Sequence, residues 1–256
     1  MAVAHGTALD PSRSRSGSSA RDWAEIQERT LVPLYEAVHE RLGVGPATSL
    51  LGLGCRSGLA LLLAAARGAQ VAGLEPDGPL RELARARRLP VAAHPGATRT
   101  AHAVVTLFEP LRLGSDPRRT VREALRLVLP GGVLVLAGLD PVATGRAADV
   151  LAPARRRAGG ARVPDPLDPV GDPEALAAAA GLRLIGRGHT DCPFGYPDLD
   201  SAVRGLLSTG WYDAAVGFAG ELPAAKELAE ALHSFTRSDG SVWLPVGARF
   251  VLAARD

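Results

Sequence analysis

Brief apolar runs alternate with stretches at helical spacing along most of this chain, a pattern expected of buried parallel strands joined by crossover helices. Residues 48–52, 70–74, 90–93, 103–108, 133–138 and 182–190 read as strands, and residues 242–253 as a final one. Residues 58–66, 79–88, 118–129 and 172–180 read as helices, followed by two more at 201–207 and 224–235. Near the start, Trp23, Ile26, Leu31, Leu34, Tyr35 and Val38 recur at roughly helical spacing. They predict a helix from Trp23 toward Leu42, capped by Asp22 and ended by Gly43-Val44-Gly45-Pro46. Turn signals stand at Leu129-Pro130-Gly131-Gly132 and at Ser238-Asp239-Gly240. The fold class is therefore α/β, with a doubly wound sheet and helices on both faces.

Residues 1–20 hold little that is large enough to bury and read as a disordered tail. Residues 21–46 form an N-terminal lid helix, and residues 47–256 the main domain. Lid insertions over a substrate are expected at 140–170 and 192–238. No internal repeat is visible.

Composition narrows the function classes. Of 256 residues, 46% are hydrophobic and 22% charged, the balance of a globular protein with a substantial core. A net charge of +2 argues against a nucleic-acid partner held by phosphate neutralisation. Arginine supplies nearly all the positive charge, Lys226 being the one lysine. With only Cys55 and Cys192, neither a disulfide framework nor a thiolate-rich metal site is expected. No apolar run is long enough to span a membrane, and the N-terminus lacks a signal pattern, so a cytoplasmic location is the expectation.

The chemistry concentrates in Ser49-Leu50-Leu51-Gly52-Leu53-Gly54-Cys55-Arg56-Ser57-Gly58, followed by Val71-Ala72-Gly73-Leu74-Glu75. A glycine turn after the first strand lets backbone approach a ligand, and the helix start beyond it offers amide donors. Glu75, ending the second strand, is placed to accept both hydroxyls of a ribose. The plainer alternatives are a structural strand-to-helix turn and a solvated Glu75 capping the Pro79 helix. His94, His102 and His189 are potential general bases, and His189 with Asp191 on one strand face makes a base-and-orienter pair. Simple solvation is the plainer reading of each of them, and the one preferred. Cys55 reads as packing. Phe194, Tyr196, Trp211 and Tyr212 either line a substrate pocket or pack a core.

The stretches 50–58, 71–75 and 103–108, together with Leu129-Pro-Gly-Gly-Val-Leu-Val-Leu-Ala-Gly138, resemble the class I S-adenosylmethionine-dependent methyltransferases, of the type 11-like kind. The Leu-x-Pro-Gly-Gly turn is characteristic of that family and not of nicotinamide dehydrogenases. Cys192-Pro-Phe-Gly-Tyr-Pro-Asp-Leu-Asp200 is similar to a segment of small-molecule enzymes of actinobacterial type. The resemblance implies a Rossmann-like sheet of seven strands, the last antiparallel and inserted between the fifth and sixth. It implies S-adenosylmethionine as cofactor and a small-molecule acceptor; no membrane or nucleic-acid partner is expected from the charge and apolar runs above, and a homodimer is left open. The cofactor-binding set would be Gly52, Gly54, Cys55, Gly58, Glu75, Thr106 and Leu107. Within it, Gly54 and Gly58 would line the methionine end, Glu75 would hold the ribose, and Thr106 and Leu107 would lie near the transferred methyl. The helix bearing Trp23 and Tyr35 would close over the pocket. No catalytic residue or metal ligand is assigned.

Three departures mark the motif as degenerate. Gly52 stands where the family has an acid, Arg56 where it has glycine, and residues 92–99 lack the acid that binds the adenine amino group. The alternatives are an inactive binding or scaffold protein and a biosynthetic cyclase reusing the fold, with a nicotinamide enzyme further off.

Overall fold

The computed structural model describes residues 17–95, 100–108, 116–151 and 172–256. Helix α1 (Gly17–Asp22) runs without a break through a π-helical stretch (Trp23–Gln27) and a 3-10 turn (Glu28–Leu31) into α2 (Val32–Leu42). Most of the expected tail lies outside the described residues, but its last part is helical and Ala20 is buried. Asp22 does not cap. Its backbone is already helical, and its carboxylate instead pairs with Arg204 at 2.5 Å.

Then come β1 (Ser49–Leu53), α3 (Leu59–Ala66), β2 (Gln70–Leu74), α4 (Gly78–Ala86), β3 (Val91–Ala92), β4 (His102–Phe108), α5 (Pro117–Leu125) and β5 (Val128–Asp140). Two short helices, α6 (Pro141–Thr144) and α7 (Ala148–Leu151), leave the sheet edge, and the rest of the 140–170 insertion lies largely outside the described residues. The chain resumes with α8 (Pro173–Ala179), β6 (Arg183–Asp191), β7 (Phe194–Tyr196), α9 (Leu199–Ser208), α10 (Asp213–Ala219), α11 (Glu221–Leu232), β8 (Val242–Leu244) and β9 (Gly247–Ala254).

The main sheet has seven strands in the order β3-β2-β1-β4-β5-β9-β6. Strands β1 to β5 pair in parallel, and β9 lies antiparallel between β5 and β6. This is the expected architecture. The single final strand is corrected to two, because Pro245 cannot continue a ladder. β8 pairs with β7 in a separate ribbon, and β9 alone joins the sheet. The Leu129–Gly132 turn survives as an irregularity inside β5, where pairing jumps from His102–Val128 to Val104–Val133.

Parallel strands bury both faces, which is why they read as unbroken apolar runs. Leu51, Val105, Leu107, Leu134 and Leu136 pack with α5 and α8 on one face. Leu50, Val104, Val135 and Leu252 pack with α2, α3 and α4 on the other. A third cluster lies beyond the strand ends, where Trp23, Leu31 and Tyr35 meet Phe194, Leu206, Leu232 and Leu244. The chain reverses direction across the sheet between β1 and β4, the place where open α/β sheets leave a crevice for a ligand.

Candidate functional site

The site grows from the end of β1. The Gly54 amide donates to the Leu74 carbonyl at 2.8 Å, and a left-handed Gly54 (φ +62°) turns the chain toward α3. Arg56 is left-handed too, at φ +55°, a conformation that suits glycine and costs another residue about 1 kcal/mol or more. Gly58 (φ +85°) closes the loop. A Cβ there would stand 2.4 Å from Leu89 and 3.3 Å from Ala84, so the missing side chain brings α3 against α4.

Glu75 is neither solvated nor a helix cap. It is 3% exposed, and Asp77 caps α4 in its place, accepting from the Leu80 amide. The two Glu75 carboxylate oxygens accept the amides of Arg56 at 2.8 Å and Asp77 at 2.9 Å. Burial pushes its carboxyl above the ordinary range, against the pull of the Arg56 charge and these amides.

A second buried carboxylate faces the loop from the N-terminal segment. Glu28, 1% exposed, accepts the Ser57 hydroxyl, the Leu59 amide at 3.4 Å and Arg87 Nη1 at 3.1 Å. Arg87 also donates to the Ser57 carbonyl at 2.8 Å, so three segments share one polar knot. Burial raises the Glu28 carboxyl despite these partners. Beside it the Arg56 guanidinium lies 4.0 Å from the centre of the Trp23 ring and reaches the Thr209 carbonyl at 3.5 Å. The Trp23 indole nitrogen is buried with no hydrogen-bond partner. Gln27 anchors the same segment by accepting from the Tyr196 hydroxyl at 2.7 Å.

The remaining sequence candidates fall as follows. Gly52 is walled in, since a Cβ would meet Cys55 at 3.1 Å and Leu61 at 3.2 Å. The Cys55 sulfur packs over Gly73, and burial pushes its thiol well above the usual range. Thr106 is buried beside Gly52 in register, with its hydroxyl 3.5 Å from the Leu51 carbonyl. Leu107 points into the core on the α5 and α8 face. Phe194, Tyr196, Trp211 and Tyr212 are all buried; Phe194 stacks on Trp211 and the Tyr212 hydroxyl donates to the Val150 carbonyl. His94 is exposed, and His102 has a buried Nδ1 without a partner.

His189 has a carboxylate partner, but it is Asp140, not Asp191. Nδ1 lies 2.9 Å from Asp140 Oδ2, while Asp140 Oδ1 caps α6. No group of three or more potential metal ligands occurs among the described residues. No helix among them is long and apolar enough to cross a membrane.

A glycine turn at the β1–β4 switch point, a buried acid closing β2 and a seven-stranded sheet with β9 inserted antiparallel define the fold. Residues 51–136 match the family model of a methyltransferase domain. The fold is that of the class I S-adenosylmethionine-dependent methyltransferases. Solved structures of this methyltransferase fold agree over nearly the whole chain. The S-adenosylmethionine-dependent methyltransferase from Geobacter sulfurreducens, in complex with S-adenosylhomocysteine, is 17% identical; the match covers 94% of this chain and 99% of that one, with a TM-score of 0.52. The YcgJ protein from Bacillus subtilis is 14% identical over 90% and 99% of the two chains, TM-score 0.52. The 4+2 cyclase SpnF is 20% identical over 96% and 84%, TM-score 0.52. No curated relative matches the chain in sequence.

The donor set decides how far this methyltransferase fold suits the cofactor. Each Glu75 oxygen accepts one amide and keeps lone pairs for ribose hydroxyls. The amides of Arg56 and Leu59 already serve the chain's own carboxylates. The residues therefore fit the cofactor's ribose at Glu75, whereas the Arg56 and Leu59 amides of the loop are engaged within the chain.

Proposed function

We propose that this protein is an S-adenosylmethionine-dependent methyltransferase acting on a small-molecule acceptor. The observation that carries the reading is Glu75, a buried carboxylate at the end of β2 held in place by the Arg56 amide of the glycine loop and the Asp77 amide before α4. When bound, the cofactor supplies a methyl group already activated on a sulfonium. The protein then has to hold, orient and exclude water, which needs no nucleophile or metal of its own. Glu75 would hold the ribose. The loop from Gly54 to Gly58 would receive the methionine end. Thr106 would stand beside the loop at the switch point.

Calorimetric titration with S-adenosylmethionine and S-adenosylhomocysteine tests this directly. Saturable binding of either supports the reading, and no heat from either at millimolar ligand sinks it. The second reading, a fold kept for another chemistry or for scaffolding, is favoured by Arg56, whose side chain lies against Trp23 at the position the family gives to glycine. Binding of S-adenosylhomocysteine with no methyl transfer to any of a pool of candidate metabolites would favour that second reading.

A further inference from the structure

We infer that residues 17–31 are a built-in occupant of the glycine loop, and that the Glu28 carboxylate holds the place of a ligand carboxylate. The inference rests on the cofactor reading above, because it takes the cofactor's amino-acid end as the competing ligand.

Three observations converge. First, Glu28 bonds the groups a small carboxylate would seek at the start of an eight-residue helix: the Leu59 amide of α3, the Ser57 hydroxyl and the Arg87 guanidinium. Its side chain is buried and reaches them from 29 residues away in sequence for Ser57 and 59 for Arg87. Second, Arg56 is clamped between the Trp23 ring and the Thr209 carbonyl, so the loop's own charged side chain helps hold the segment down. Third, the segment fits imperfectly. Its helix passes through a π turn and a 3-10 turn, and the Trp23 indole N–H is buried without an acceptor. Irregular turns of this kind mark places where a helix can rearrange.

One amide hydrogen cannot serve two carboxylates at full strength, so segment and ligand exclude each other at Leu59 and Ser57. The apparent affinity of a ligand is then lowered by the fraction of molecules in which the segment is seated. A ligand without the carboxylate has no quarrel with Glu28.

Two adenosine probes separate these cases in the full-length protein: S-adenosylhomocysteine, which carries the amino-acid end, and methylthioadenosine, which lacks it. Glu28→Ala should raise affinity for S-adenosylhomocysteine about tenfold or more while leaving methylthioadenosine within about threefold. Glu28→Gln, which keeps the shape, is the gentler companion should the alanine variant fold poorly. Hydrogen exchange gives a readout independent of turnover: saturating S-adenosylhomocysteine should speed exchange of residues 17–31 in the wild type. If both probes bind the wild type and neither variant changes their ratio, the Glu28 inference is overturned and the cofactor reading stands. If neither probe binds any variant, the cofactor reading fails, and competition for that cofactor fails with it. Slower exchange of residues 17–31 on ligand binding would also overturn the inference, since it would make the segment a lid that seats with the ligand.

Discussion

Replacing His39 with leucine is expected to flatten the acid side of this protein's stability curve. His39 is fully buried on α2, and neither ring nitrogen has a hydrogen-bond partner. Burial, aided by the charge of Arg67, lowers its pKa from 6.5 to about 4, with Glu36 opposing. A histidine lowered in the fold contributes stability above its ordinary value and loses it as pH falls toward the folded one. Between pH 7 and pH 5 the difference in proton uptake amounts to about 2 kcal/mol, from 1.36 kcal/mol per unit. For a chain of this size that is about 4–8 °C in Tm. Glu28 and Glu75, both raised by burial, act in the opposite sense, their contribution fading as pH rises above 4.5. They are present in both proteins, so the wild-type minus His39→Leu difference isolates the histidine. At pH 7 the variant should melt at or above the wild type, because it removes two buried nitrogens that bond to nothing. Thermal melts of both proteins at pH 7, 6 and 5 decide the matter. A Tm difference that stays constant across that range would refute the reasoning.

Other consequences follow from single contacts. Gly58→Ala should lower stability by about 1–3 kcal/mol in a denaturant melt, since a Cβ at φ +85° would sit 2.4 Å from Leu89; an unchanged midpoint would contradict the packing assigned to it. Cys55 and Cys192, with thiols raised by burial (Cys192 to about 11), should be alkylated by iodoacetamide far more slowly in the native protein at neutral pH than in urea. Equal rates would mean the loop is open. Asp140→Ala removes the α6 cap and the partner of His189, and should cost about 1 kcal/mol. It should also shift the His189 ring resonances, and silence there would show that the Asp140–His189 bond does not persist in solution.

The parts legible in the sequence are those set by local pattern. The apolar run of β1, the glycine turn and the acid closing β2 lie within 27 residues of one another, and each is coded by its own neighbours. The polar knot was not legible for the opposite reason. Helical spacing in the first segment marks Trp23, Ile26 and Leu31 as inward-facing and leaves Glu28 unmarked; its burial comes from Ser57 and Arg87 on distant elements. The Asp140–His189 pair is similar, because it joins β5 to β6 across the intervening β9. Neighbouring position had suggested Asp191. Pro245 was a readable signal that the last apolar run contains two strands, since proline interrupts a ladder wherever it falls.

Gly52 and Arg56, the two positions at which the resemblance expects an acid and a glycine, are best understood together. In the fold each is matched by a neighbour. The space beside Gly52 is filled by Cys55 and Leu61, which leaves little room for a longer side chain. The positive charge at Arg56 is met by the Trp23 face, by the Thr209 carbonyl and by buried Glu75. A carboxylate reaches the start of α3 from the N-terminal segment, where Glu28 accepts the Leu59 amide. The left-handed backbone at Arg56 costs about 1 kcal/mol or more on its own. The loop is a packed and largely hydrogen-bonded unit, with the Trp23 indole nitrogen as its one orphan among these groups. That orphan lies on the segment that would have to move for a ligand to enter.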